Sequence, residues 1–313
     1  MKIASITYRG ERLLVVVDDS GIRELEPAFD TWVTAKEAWI TQCGDLTGLL
    51  REFPDALTHA RPGRTLDAAE IAWLPPVTPG KICCVAINNR SFDKDRISGP
   101  DHPAFFLKSP TSLIGHEQAI ELRDAYGLTH PEPELAIVIG RKSKDLTRST
   151  AMEAVFGYTI LNDVTSIRMR NEDYFHFNFD VPDGSGGYRA IEQHTSYAGR
   201  YKSADTFGPI GPVIVTADEI SDPDNLRIEC RLDGEVVQSD SSASYRYTVA
   251  EVVSFVSQYE TLLPGDVISM GTAVSNTGQA TRPLSSLDLR AGVQDVSVTI
   301  EGIGTLRSTV RTP

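Results

Sequence analysis

Of the 313 residues only four are cysteine, and their placement suits neither pairing nor metal binding. Cys83 and Cys84 are adjacent inside an apolar run, Cys43 and Cys230 stand alone, and no Cys-x-x-Cys spacing exists. A disulfide framework and a thiolate zinc site are not expected, and buried free thiols fit a reducing compartment. No stretch approaches the ~18 uninterrupted apolar residues of a membrane-spanning helix, so no membrane association is expected. Met1-Lys2-Ile3-Ala4-Ser5 runs into a charged, strand-like segment without the apolar core or cleavage site of a secretory leader, and a cytoplasmic setting follows as the expectation. Basic charge is scarce: 30 Lys and Arg against 43 Asp and Glu give a formal charge of -13. That balance argues against general nucleic-acid binding, which rests on phosphate neutralisation. It leaves room for an anionic small molecule, because one local cationic pocket is enough for that. There is no Gly-x-Ser-x-Gly elbow, no Walker loop, no Gly-x-Gly-x-x-Gly fingerprint and no repeat of 20–50 residues. The six histidines never fall at the i, i+4 spacing of a helical metal site.

What is present is ordinary globular composition, 41% hydrophobic and 23% charged. The length gives about two domains as a prior. Residues 1–75 form a small β-rich zone, with strand-like runs at 2–8 and 12–17 around the hairpin signal Arg9-Gly10-Glu11 and a turn at Asp18-Asp19-Ser20-Gly21. Helical spacing follows over 34–53. Leu74-Pro75-Pro76-Val77-Thr78-Pro79-Gly80 reads as a linker, so residues 76–313 make the second, larger unit. Its candidate strands are 81–87, 134–139, 158–162, 213–216, 226–232, 267–270 and 296–300, with helices near 150–155 and 249–262. This predicts a mainly β fold with some α, strongly curved, rather than alternating βαβ units. The aromatic stretch 174–197 lacks clear periodicity and is predicted to be a long loop or insertion.

Chemistry is suggested first by Glu132 and Glu134. On a strand, residues i and i+2 share a face, so both carboxylates project together at the entrance of an apolar run. Either both are solvated, or a cation sits between them. Asp163 ends another strand; an Asx turn explains it, or it is a third oxygen ligand. Three such oxygens suit Mg²⁺ or Mn²⁺ better than zinc. Spacing alone does not bring Asp163 to the pair. Arg168, Lys202, Asp205, Gln238 and Thr272 are unremarkable singly, and His102 and His130 read as structural or solvated.

Taken in order, the segments resemble the fumarylacetoacetate hydrolase family. The resemblance runs from about residue 74 to 310. It begins at Pro79-Gly80-Lys81-Ile82-Cys83-Cys84-Val85-Ala86-Ile87-Asn88 and passes through Phe106-Leu107-Lys108-Ser109-Pro110, Glu132-Pro133-Glu134-Leu135 and the stretch from Gly157 to Thr165. Lys202-Ser203-Ala204-Asp205-Thr206-Phe207, Gly208-Pro209-Ile210-Gly211-Pro212, the run from Leu263 to Thr272 and Gly302-Ile303-Gly304 complete it. The resemblance implies a mixed β-sandwich roll for the catalytic domain, a small N-terminal β-rich domain and a homodimer. It implies metal ligation by Glu132, Glu134 and Asp163, with Mg²⁺ or Mn²⁺ as the ion and Ca²⁺ admissible. Lys202 matches a lysine approaching substrate or water, Gln238 and Thr272 match residues bonding the substrate carboxylate or oxo group, and Arg168 matches an arginine beside the site. Family substrates are 2-oxo or 1,3-dicarbonyl acids, whose breakdown passes through an enolate that a divalent ion stabilises.

Three departures qualify what the resemblance implies. Hydrolytic members carry a His-x-x-Glu dyad, a base oriented by a carboxylate. Here Phe92 and Asp95 stand at those positions, and phenylalanine accepts no proton. Asp93, Asp95 or His176 would have to replace it. Met169 stands where an acidic residue commonly follows the arginine. The aromatic insertion is the third: it either covers the site and selects a bulkier substrate or forms a dimer contact. The leading expectation is a metal-dependent C–C hydrolase or decarboxylase. The alternatives are a tautomerase, dehydratase or bond-forming enzyme on the same site, as in macrophomate synthase, and a non-catalytic binding protein.

Overall fold

A computed structural model of the chain describes residues 1–26, 45–274 and 282–312. Its centre is the strand Pro133–Ile139, in which every residue is buried. An alternating sequence would bury one face; this apolar run buries both, as a strand in the middle of a covered sheet must. Leu135, Ile137 and Ile139 pack into one core and Ala136 and Val138 into another. The strand pairs antiparallel with Val155–Asn162 on one side and Val267–Ser269 on the other. Gly208–Thr216 continues the sheet beyond Val155–Asn162, and Ile82–Ala86 with Ala104–Lys108 continues it beyond Val267–Ser269.

A second, five-stranded sheet runs in the order Glu235–Ser241, Arg227–Leu232, Asp295–Ile300, Gly304–Arg311 and Ala119–Glu121. Arg227–Leu232 packs against Pro133–Ile139 and Asp295–Ile300 against Val155–Asn162, which makes the expected mixed β-sandwich roll. Ile137, Ile160, Ile228, Cys230, Val298 and Ile300 fill the space between the sheets. The opposite face of the large sheet is covered by Leu46, Leu49 and Leu50 of the short helix Leu46–Glu52. The strands expected at 2–8 and 12–17 are Lys2–Tyr8 and Glu11–Asp18, Gly21–Glu26 adds a third, and Lys2–Tyr8 pairs directly with Gly208–Thr216. The N-terminal strands therefore extend the large sheet.

Several expectations are refined. The helix expected over 34–53 is described only from residue 45 onward, where Asp45 caps it by accepting from the Gly48 N–H; Cys43 also lies outside the described residues. The segment near 150–155 is a single 3-10 turn, Ala151–Ala154. The helix at 249 ends at Tyr259, and the capping box of Thr248 and Glu251 starts it. The largest correction concerns 174–197, which is a β-hairpin, Tyr174–Pro182 against Tyr188–Ser196, and not a loop. The sequence does carry its signal: Phe175, Phe177, Phe179 and Val181 alternate with His176, Asn178 and Asp180 at period two.

The tightest packing between strands falls at Gly157. A Cβ there would lie 2.3 Å from the Val215 carbonyl oxygen and 2.8 Å from Ile214 Cγ2. Gly157→Ala is expected to cost about 1–3 kcal/mol or more, because backbone rather than a flexible side chain must yield. Urea denaturation would measure it; an unchanged midpoint would mean the strands are not held at this distance.

Candidate metal centre

The sheet places the functional side chains by parity. Glu134 shares the face of Ala136 and Val138, and Glu132 precedes it by two. Glu134 lies opposite Leu161 in register, so Asp163, two residues beyond Leu161, emerges on the same face opposite Glu132. The Asp163 N–H donates to the Glu132 carbonyl at 2.9 Å, which locks that placement. Ser269 is paired with Ala136 and with Cys84, and Cys84 with Phe106, so Ser269, Cys84 and Lys108 join the same face. One oxygen from each of Glu132, Glu134 and Asp163 lies within 4.8 Å of the other two, and all three residues are buried.

Two lysines close the cluster. Lys202, on the short helix Gly199–Ser203, donates from Nζ to Glu132 Oε2 at 2.8 Å, Asp163 Oδ2 at 2.7 Å and the Thr165 hydroxyl at 2.7 Å. Lys108, whose side chain is fully buried, donates to Asp163 Oδ1 at 2.9 Å and to the Lys202 carbonyl. Gly208 leaves room for it, since a Cβ there would lie 3.1 Å from Lys108 Cε. Thr272 donates its hydroxyl to Glu132 Oε2 at 2.7 Å and Glu134 Oε1 at 3.3 Å. The Ser269 hydroxyl and the Gly271 N–H donate to Glu134 Oε2. Gly271 has φ of +93°, and a Cβ would lie 2.8 Å from the Val85 carbonyl, so this turn requires glycine. Asn88 Nδ2 fixes the turn by donating to the Met270 carbonyl at 2.8 Å. His130 Nε2 lies 3.0 Å from Glu132 Oε1.

The electrostatics separate the three carboxyls. Burial raises the pKa of Glu132, but Lys202 and then His130 outweigh it and hold it well below the usual range. Glu134 makes no hydrogen bond to a lysine among the described residues, and its pKa is pushed up to about 8 by burial, with Asp163 and Glu132 adding to it and Lys202 only partly offsetting them. Burial works against the Lys202 ammonium, yet Asp163 and Glu132 raise its pKa above the ordinary lysine value. Setting His130 aside, the charges of Glu132 and Asp163 are balanced by Lys108 and Lys202, and Glu134 is the carboxyl of the three with no ion pair among the described residues. The Cys84 thiol is held well above its ordinary value by burial, then by Asp163 and Glu134, so it fills space as a neutral group.

The structure therefore brings together Glu132, Glu134, Asp163, Lys202 and Thr272. Gln238 is buried, and its Oε1 has no hydrogen-bond partner among the described residues. Arg168 is more than half exposed and pairs with Glu172 at 3.0 Å. Asp95 is exposed at the end of the 3-10 segment Arg90–Asp95, and Phe92 lies half-buried in it. Among the described residues, neither Arg168 nor Asp95 makes a hydrogen bond or ion pair to the three carboxylates. Sequence reasoning missed Lys108, Thr165, Ser269 and Asn88 as parts of the site. Lys108 had a signal: it shares the parity of Phe106 on a strand whose other end is apolar.

Three buried carboxylates offering only oxygen, on the face of a β-sandwich roll, define a candidate centre for a hard divalent cation. Residues 81–311 match the fumarylacetoacetate (FAA) hydrolase C-terminal family. The chain belongs to that family. It is 37% identical over 236 residues to an uncharacterised protein of Methanocaldococcus jannaschii, covering 75% of this chain and 84% of that one. It is 34% identical over 209 residues to a mitochondrial oxaloacetate tautomerase of Homo sapiens, covering 65% of this chain and 59% of that longer protein. The solved structure of a fumarylacetoacetate hydrolase from Exiguobacterium antarcticum superposes over 100% of both chains with a TM-score of 0.74 at 29% identity.

Cation ligation by Glu134 requires its carboxylate form, so binding must expel the proton held up to a pKa of about 8. Mn²⁺ or Mg²⁺ affinity should therefore rise between pH 6 and about 8 and level off above, with release of about one proton at pH 7. Calorimetry in buffers of different ionisation enthalpy would count that proton. Affinity independent of pH across this window would show that Glu134 does not ligate.

Proposed function

We propose that the chain is a divalent-metal-dependent enzyme acting on a small 2-oxo or 1,3-dicarbonyl acid through its enolate. Glu132, Glu134 and Asp163 would hold the ion, with Mg²⁺ or Mn²⁺ suited to the all-oxygen set and Ca²⁺ admissible. When bound, the ion supplies Lewis-acid stabilisation of charge developing on the 2-oxo oxygen. The observation that carries this reading is the charge balance of the pocket. Two carboxylates already have two ammonium partners, so ionising Glu134 and adding a divalent cation leaves a net positive site for an anionic acid.

The remaining roles belong to side chains. Lys202 is held protonated by Asp163 and Glu132 and therefore acts as a fixed cation toward the enolate, not as a base. Thr272 offers a hydroxyl from the turn after Gly271, and Gln238 a buried amide whose oxygen has no partner among the described residues. Arg168, exposed and paired with Glu172, would reach an acid only by leaving that partner. Homodimeric assembly and a cytoplasmic setting are part of the proposal; among the described residues no helix is long and apolar enough to cross a membrane.

For the fate of the enolate, we favour proton transfer or decarboxylation over water attack. Phe92 accepts no proton, Asp95 is exposed whereas the three carboxylates are buried, and the relative named as an oxaloacetate tautomerase supports the same reading. Hydrolysis is the second reading, favoured by the likeness to the Exiguobacterium hydrolase.

An NMR assay with oxaloacetate and acylpyruvates, with and without Mn²⁺, tests the proposal. Metal-dependent deuterium exchange at C3 or loss of CO₂ is expected, falling by about 10²–10³-fold in Glu134→Gln with the fold intact by circular dichroism. Metal-dependent formation of a free carboxylic acid, labelled from H₂¹⁸O, would transfer the assignment to hydrolysis. Turnover unaffected by Glu134→Gln would defeat the metal-enolate reading altogether.

A further inference from the structure

A second convergence of ligand-type side chains lies outside this centre, on the hairpin Tyr174–Pro182/Tyr188–Ser196. The register places His176 directly opposite His194, and Glu192 is two residues before His194 on the same face. The ribbon is two-faced. Phe175, Phe177, Phe179, Val181 and Ile191 share one side, while Tyr174, His176, Glu192 and His194 share the other. The two imidazoles stack with centroids 4.2 Å apart and an interplanar angle of 16°. Both Nε2 atoms face a single oxygen: Glu192 Oε1 accepts from His176 and lies 3.3 Å from His194 Nε2. One ligand atom from each of the three residues lies within 4.8 Å of the others.

From this arrangement we infer that the hairpin carries its own divalent transition-metal site, formed by His176, His194 and Glu192 and taking Zn²⁺ or an ion of the same class. Two imidazoles and a carboxylate are a zinc-type set with a coordination position left for water, and they bind hard ions such as Mg²⁺ poorly. The Tyr174 hydroxyl contacts His194 Nδ1. A phenol oxygen accepting from Nδ1–H selects the tautomer whose Nε2 lone pair is free for a metal, which is the usual support around a ligating histidine. All three side chains are about half exposed, so an ion reaches them without unfolding anything. The site is chemically distinct from the buried centre, where every donor is oxygen.

The position gives such a site a structural consequence. Helix Ile167–Glu172 enters the hairpin, and helix Gly199–Ser203, which carries Lys202, leaves it. Arg200 ties the two together by donating to Asp173 Oδ1 at 2.8 Å and Glu172 Oε2 at 2.9 Å. A metal bridging residues 176 and 194 clamps the two strands above that base and orders a ribbon that no other sheet joins among the described residues.

The test is equilibrium dialysis of the full, untagged chain against Zn²⁺ in excess Mg²⁺, with metal counted by atomic absorption. One zinc per chain is expected, retained by Glu134→Gln and weakened about tenfold or more in each of His176→Gln, His194→Gln and Glu192→Gln. In the unaltered protein, the imidazole ¹H resonances of residues 176 and 194 should shift together on zinc addition, a readout independent of any variant's folding. Zinc binding untouched by the three hairpin variants, or abolished by Glu134→Gln, would overturn the assignment. So would imidazole resonances that do not respond to zinc.

Discussion

Carboxylates buried beside one another are the constraint on which this structure turns. Like charges about 4 Å apart repel by about 4 kcal/mol at an effective dielectric of ~20, and burial adds a desolvation cost for each. Glu132, Glu134 and Asp163 are held within 4.8 Å out of water. Lys108 and Lys202 compensate two of them, and the third keeps its proton up to a pKa of about 8. An arrangement built only for stability would not leave one carboxyl in that position, because an apolar residue of similar volume costs less. The unmatched carboxyl makes sense as one ligand of a cation site.

The sheet supplies what such a site needs, which is rigidity. Glu134 stands on the central strand, buried on both faces; Asp163 directly follows the neighbouring strand Val155–Asn162, and Ser269 and Lys108 come from strands further across the same sheet. Their separations are set by ladder hydrogen bonds and strand spacing rather than by loop conformations. The more adaptable contributions come from a short helix and a turn. Lys202 rides on Gly199–Ser203, and Thr272 follows the glycine turn at Gly271. Glu134 is thus on a strand and Glu132 and Asp163 flank strand ends tied by the Asp163 N–H to Glu132 carbonyl bond, whereas Lys202 and Thr272 are on connecting elements.

Much of this is legible in the residues. The i, i+2 spacing of Glu132 and Glu134 on a strand suffices to put them on one face, and the family resemblance supplies Asp163, Lys202 and Thr272. Pairing between distant strands is what local sequence does not carry. Lys108 lies 55 residues from Asp163, and nothing local to either predicts their hydrogen bond. The hairpin at 174–197 is obscured for a different reason. Its bulky aromatic content masks a plain two-residue alternation. Along the chain His176 and His194 are far apart, whereas across the two strands they are direct neighbours. The expectation for Arg168 comes from resemblance alone, and here its guanidinium is engaged by Glu172 one helical turn away.

The central claim is that Glu132, Glu134 and Asp163 form a cation site, and anomalous scattering tests it most directly. Crystals grown with Mn²⁺ and measured near the manganese edge should give a strong peak among these three carboxylates, within ordinary ligand distance of an oxygen from each. A map in which Mn²⁺ lies elsewhere, with Lys202 still bridging Glu132 and Asp163, would contradict the account.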